Sequence, residues 1–215
     1  REEFAAMDFS FLVDKHRQLL SVGFQVEQAR LEEACYDLLA SECRLASFVS
    51  IAKGDVPTRH WARLGRPVTA AGGGAALLSW SGSMFEYLMP SLVMRTPATS
   101  LLSSTARRVV RRQIEYGDQH GLPWGISESG YFARDPDHNY QYSPFGVPGL
   151  GIVRRLGDNL VVAPYATGLA SMVRPSAAAQ NYRRLAALGA SGTVGFYEAL
   201  DFTKARLPEG QDYAV

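Results

Sequence analysis

The 215-residue sequence lacks a dominant charge: 22 basic residues face 21 acidic ones, for a formal net charge of +1. That balance provides no general electrostatic footprint for nucleic acid or an anionic membrane. Cysteine is scarce too, with only Cys35 and Cys43. No C-x-x-C or His/Cys cluster is present, which excludes the common zinc patterns. The two thiols are eight positions apart on what reads as one helix, so about 12 Å of rise would keep them from a disulfide. No run approaches the ~18 uninterrupted apolar residues of a membrane span. The opening REEFAAMDFSF has neither the basic nor the apolar region of a secretory signal. It starts with Arg1, so a fragment of a longer polypeptide is expected. G-x-S-x-G does not occur, and His16, His60, His120 and His138 lie in unrelated settings, His60 reading as a helix-face residue beside Trp61. The glycine run at 72–74 is not followed by Gly-Lys-Ser/Thr, so it is no phosphate loop. Neither a cofactor nor a metal is implied.

The residues that are present describe a globular chain, 47% hydrophobic and 20% charged. Residues 1–30 read as a lead-in of short strands and turns. From Leu31 to Lys53, Cys35, Leu38, Leu39, Leu45, Phe48, Val49 and Ala52 recur at helical spacing, with Gly54 placed to terminate. Asp55-Val56-Pro57 then opens a short helix to Leu64. Further helices are expected at 83–94 and at 100–116, the latter burying Val109, Val110 and Gln113 and ending at Gly117. Two more follow Pro164 and span 176–188, with Gly189 as terminator, and another starts after Gly195. Residues 117–160, rich in Gly, Pro, Asp, Asn and Tyr, show no helical period and read as a long irregular stretch of the kind that carries function. The run Arg107-Arg108-Val109-Val110-Arg111-Arg112 reads as a solvated helix face, because its arginines pair at i,i+4 while the valines point inward.

Three carboxylates stand in aromatic company. In SWSGSMFEYLMP, Ser83 and Glu86 fit the S-x-x-E capping box, in which each side chain bonds the other's backbone N–H. In WGISESGY, Glu128 sits in a loop between serines, close to Trp124 and Tyr131. In GFYEALDF, Glu198 and Asp201 are three apart and share a face if a helix has begun. Glycoside chemistry needs one carboxylic acid and a second carboxylate as base or nucleophile, and flat aromatic rings to hold sugar. NYQY alternates rings with amides, and the glycines of FGVPGLG permit unusual backbone angles. The plain readings are caps, loop packing and helix-dipole partners.

Together, YDLLASECRLASFVSIAKGDVPTRHWARLGRP, LLSWSGSMFEYLMPSLVMRT, RRQIEYGDQHGLPWGISESGYFARD, NYQYSPFGVPGLG, VVAPYATGLASM and GFYEALDFT resemble, in order, the glycoamylase-like domain of bacterial cyclic β-1,2-glucan synthases. The resemblance implies a mainly α fold, an (α/α)6 toroid of paired helices with long ordered loops at one end. Domains of this kind are expected to cut linear β-1,2-glucan and rejoin it to itself. Family members continue past GFYEALDFT into a histidine-containing segment, so 31–215 is expected to be part of a glycoamylase-like domain truncated at its C-terminal side. The family's acidic site falls on Glu128, Glu198 and Glu86 as catalytic candidates. Asp37, Glu42, Asp201, Trp80, Tyr87, Trp124, Tyr131, Tyr140, Gln141 and Tyr142 are the substrate-binding candidates, and Glu115 ranks below them.

The implied partners are β-1,2-glucan and the other domains of a parent synthase, with no nucleic acid and no membrane insertion by this chain. Self-association through unpaired helix faces is a further expectation. The implied place is the cytoplasmic side of the bacterial inner membrane. An endo-β-1,2-glucan hydrolase and a non-catalytic glucan-binding or scaffold module are the alternatives.

Overall fold

The computed structural model describes residues 2–215. They divide into two compact units, one ending at Pro67 and the other spanning Val68–Val215.

The first unit begins with helix α1 (Glu2–Ala6), followed by two minimal hairpins. Strand β1 (Val13–Asp14) pairs with β2 (Leu19–Leu20), and β3 (Phe24–Gln25) with β4 (Arg30–Leu31). The expected helix from Leu31 forms only over α2 (Arg44–Lys53). Residues upstream are taken by long-range pairing instead: the Tyr36 N–H donates to the Leu20 carbonyl, and that of Leu39 to the carbonyl of Gly65. Cys35 and Cys43 therefore do not share a helix, and both are free thiols. Gly54 ends α2 as expected, at φ +92°. Helix α3 (Arg59–Arg63) starts after Thr58, later than the Asp55-Val56-Pro57 signal suggested. His60 lies on α3 beside Trp61 as expected, on its buried face, its ring nitrogens 2.9 Å from the Gln18 carbonyl and the Ser47 hydroxyl.

In the second unit, β5 (Val68–Ala71) and β6 (Gly74–Leu77) form a hairpin closed by Gly72 and Gly73. Both turn residues have positive φ, +52° and +78°, as a tight two-residue hairpin turn requires. Helix α4 (Met84–Leu88) passes at Pro90, which lacks an N–H, into a 3-10 turn over Met89–Leu92. Helix α5 (Leu101–Gln119) buries Val109, Val110 and Gln113 as expected but runs through Gly117. A Cβ at Gly117 would lie 2.9 Å from the Trp124 side chain, so this glycine serves close packing rather than termination. Residues 129–143, expected to be irregular, include the hairpin β7 (Ser129–Arg134) and β8 (Tyr140–Ser143). Then come β9 (Val161–Val162), α6 (Pro164–Ser171), α7 (Pro175–Ala187), the hairpin β10 (Ser191–Gly192) with β11 (Gly195–Phe196), and β12 (Leu200–Asp201), which returns to β9. The helix expected after Gly195 is therefore a pair of strands.

These elements overturn the (α/α)6 toroid. The described residues hold seven α-helices, three of them only five residues long, beside twelve short strands in six two-stranded sheets. Segments with turn chemistry satisfied their backbone groups by antiparallel pairing rather than by forming helices that could stack in pairs. The core of the second unit gathers Leu77, Leu88, Val109, Val110, Val147, Leu150, Leu185 and Leu200, all essentially inaccessible to water.

Candidate functional site

The loop at 124–128 is fixed by side-chain amides that imitate strand pairing. Asn181 of α7 accepts from the Trp124 N–H at 3.1 Å and donates to its carbonyl at 2.7 Å. Gln113 of α5 does the same to Ile126, at 2.9 and 2.8 Å. Both amides are buried, so each loop group they satisfy would otherwise be an unpaired polar atom inside the protein. The loop delivers Glu128, half-buried, at the foot of β7.

From β8 the Tyr142 hydroxyl donates to Glu128 Oε2 at 3.1 Å. Across the hairpin the Gly130 N–H donates to Glu198 Oε1 at 3.1 Å, with Glu198 on the turn between β11 and β12. Burial, then the Glu128 charge and hydrogen bond, and then Glu198, push the Tyr142 phenol up to about 12. The Tyr165 phenol of α6 is raised as well, by burial first, with the two glutamates adding to it against an opposing bond from Ser127. Both glutamates thus act on both phenols, and these four side chains form one cluster. A cavity of about 460 Å3 opens beside it, lined by Tyr131, Tyr140, Gln141, Tyr142, Tyr197 and Glu198. That volume falls within the usual range of small-ligand pockets. Tyr140 and Tyr142 leave about 60% of their surface open to solvent, so their rings can receive a ligand.

Of the remaining candidates, Asp201 also lines that cavity, and the others do not. Glu86 closes the expected capping box with Ser83. Its carboxylate, 6% exposed, accepts from the hydroxyls of Ser79 and Ser81 at 2.7 Å and from the N–H groups of Trp80, Ser81 and Ser83 at 3.0–3.1 Å. This is the environment of a structural anion. Tyr87 and Trp124, expected to stack on sugar, are both 3% exposed and offer no face to a ligand. The Tyr87 hydroxyl instead ties Leu77 to Leu150 through their carbonyls, at 2.9 and 2.7 Å. Trp80 keeps an open ring.

Asp201 is 2% exposed and does not share a helix face with Glu198. It accepts both arms of Arg206, at 2.7 and 2.9 Å, and the N–H groups of Thr203 and Phe132. Burial opposes its charge, but these donors outweigh it and hold the carboxyl below the usual range. Asp201 also lines the cavity, and Arg206 lies 4.8 Å over the Tyr131 ring, so this ion pair braces the cavity wall. In the first unit, Glu42 accepts from the Ser41 hydroxyl and the Cys43 thiol. Burial pushes that thiol up to about 12. Asp37 is half-buried, and burial raises its carboxyl.

Sequence reasoning missed Ser127, Tyr165 and Asn181. The first two lie in the stretches WGISES and VVAPYATGLASM, but their contact spans 38 positions and leaves no periodic trace.

No group of three or more His, Cys, Asp or Glu among the described residues could hold a metal ion. Likewise, no described helix is long and apolar enough to cross a membrane. Residues 35–214 match the glycoamylase family model, described as "Putative glucoamylase". Over 210 residues, 98% of this chain, the sequence is 55% identical to the cyclic beta-(1,2)-glucan synthase NdvB of Rhizobium meliloti (strain 1021). The chain spans only 7% of that relative's length. The sequence stretches and the matched span agree: this chain belongs to the glycoamylase family.

Proposed function

We propose that this chain is a carbohydrate-active domain that cleaves a linear β-1,2-glucan and transfers the cut end onto the same chain, closing a ring. The observation that carries the reading is that Glu128, held by Tyr142, and Glu198, held by the Gly130 N–H, are both tied to the β7–β8 hairpin beside a cavity walled by tyrosines. The relative's name supplies the substrate. Tyrosine faces suit the C–H faces of glucose, while Gln141 offers an amide to hydroxyls.

The phenol of Tyr142 stays protonated through the neutral range and so acts as a donor. That bond holds the Glu128 carboxylate in place. Glu128 is therefore the nucleophile: its carboxylate attacks the anomeric carbon as the glycosidic oxygen leaves. A second carboxyl gives that oxygen its proton, then takes a proton from the glucan hydroxyl that displaces Glu128. Glu198, exposed on the facing turn, is the candidate for this role. Ring closure rather than hydrolysis requires that an acceptor hydroxyl reach the glycosyl-enzyme before water does. The other proposed partners are further domains of a parent synthase, with the domain working at the cytoplasmic side of the inner membrane.

The test is incubation with linear β-1,2-glucan and mass analysis of the products, with Glu128→Gln and Glu198→Gln alongside. Products lighter by one water than the matching linear chain, lost in Glu128→Gln, would support ring closure. Shorter linear products would establish hydrolysis instead. An unchanged substrate with folded wild-type chain would sink the reading for this chain.

A further inference from the structure

One chain of hydrogen bonds approaches Glu128 from behind, and the chemistry of its end groups fixes its direction. The Glu128 carbonyl can only accept, so the Tyr165 hydroxyl, 2.9 Å away, donates to it. Tyr165 has one proton, so at its 2.8 Å contact with Ser127 the serine hydroxyl donates. Ser127 Oγ in turn accepts from the Phe85 N–H at 3.0 Å. Phe85 is the second residue of α4, whose first turn is locked by the Glu86 capping box. Its N–H is one of those an α-helix leaves without an internal partner at its start. The order is Phe85 to Ser127 to Tyr165 to Glu128, and successive bonds pointing the same way polarise one another.

The chain's position gives it a purpose. Ser127 is fully buried, whereas the Tyr165 ring is 38% exposed and stands edge-on to Phe85 with centroids 6.5 Å apart. One hydroxyl thus anchors the main chain of Glu128 to two helices, α4 and α6, while Tyr142 holds the carboxylate at the other end. Rotation of the Glu128 peptide would carry Oε2 away from Tyr142. Tyr142, Tyr165 and Glu198 are among the titratable groups whose charges bear on this site.

We propose that Tyr165 is a positioning residue that fixes Glu128 by holding its main-chain carbonyl, with Ser127 and the capped start of α4 as its support. This rests on the reading of Glu128 as a reacting carboxylate. Tyr165 does not need to touch the glucan, and Glu86 contributes at a distance, by holding the helix turn from which the bonding begins.

The experiment uses Tyr165→Phe, which keeps the half-exposed ring and removes only the hydroxyl, and Ser127→Ala as the second variant. Turnover of linear β-1,2-glucan is measured beside Glu128→Gln, and the Glu128 side-chain carboxyl carbon is followed by NMR through a pH titration. Loss of one well-made hydrogen bond should lower kcat by about three- to tenfold with KM held within about twofold. The Glu128 titration should move upward as the carboxylate loses its fixed donor. Combining the two substitutions should be no worse than either alone, since both break one chain. Wild-type kcat and titration in Tyr165→Phe, with Glu128→Gln inactive, would overturn the inference. A shifted titration with Glu128→Gln fully active would instead leave the positioning role standing and overturn the proposed chemistry.

Discussion

Replacing Glu86 by glutamine separates a structural anion from a reacting acid. In the folded chain Oε2 receives the hydroxyls of Ser79 and Ser81 and the N–H of Ser83, while Oε1 receives the N–H groups of Trp80 and Ser81. A glutamine amide has one oxygen and one donor NH2 group. Whichever way it turns, the NH2 faces N–H or O–H donors, and at least one backbone N–H loses its acceptor. A buried donor left unsatisfied costs about 1–3 kcal/mol, and losing the charge weakens the bonds that remain. With one or two donors orphaned, Glu86→Gln should destabilise by about 2–4 kcal/mol. For a unit of this size each kcal/mol lowers Tm by about 2–4 °C, so a fall of about 4–16 °C is expected. Differential scanning calorimetry measures it, with turnover followed well below the new Tm. There the variant should keep much of its kcat. An unchanged Tm with abolished turnover would refute the argument and make Glu86 an acid of the reaction.

Asp201→Asn should destabilise by about 3 kcal/mol, the lower end for breaking a buried pair, because the Arg206 side chain remains 19% exposed. Adding Arg206→Met should recover part of that loss, as a denaturant double-mutant cycle would show. The depressed Asp201 carboxyl stabilises fully above its unfolded value near pH 3.9, and that contribution fades as pH falls through the folded value. The gap in unfolding midpoint between wild type and Asp201→Asn should therefore be wide at pH 7 and narrow towards pH 3. An equal gap at both would contradict the assignment. Gly146→Ala would place a Cβ 1.9 Å from the Ser81 carbonyl oxygen, backbone against backbone, and should destabilise by more than about 3 kcal/mol. A chemical-denaturation midpoint close to wild type would contradict that packing.

Local chemistry was legible where neighbours in sequence decide it. The capping box Ser83–Glu86, the Gly54 and Gly189 helix ends, the starts at Pro164 and Pro175 and the inward valines of α5 depend on contacts within a few positions. Elements whose backbone pairs at a distance were misread. Leu38 and Leu39 have helical spacing but pair with Gly65, and the residues after Gly195 pair with 190–192 and 161–162. A one-dimensional period cannot distinguish a helical stripe from apolar residues recruited by distant strands. The toroid that the resemblance implied required paired helices where these segments form short strands.

The sequence alone determined which chemistry this chain could attempt. Its neutral charge, two unpaired cysteines and lack of metal or phosphate motifs left carboxylates among aromatic rings, and its order of stretches identified a family. Which carboxylates are available was decided only by the tertiary structure. Glu86, Glu128, Glu198 and Asp201 have the same functional group, and their environments set them apart. Glu86 is enclosed by hydroxyls and N–H groups and Asp201 by Arg206, whereas Glu128 is held by Tyr142 and Glu198 lines the cavity beside them. A carboxylate's role depends on which donors and charges surround it and on how far water is excluded, and those neighbours come from chain positions that only the fold brings together.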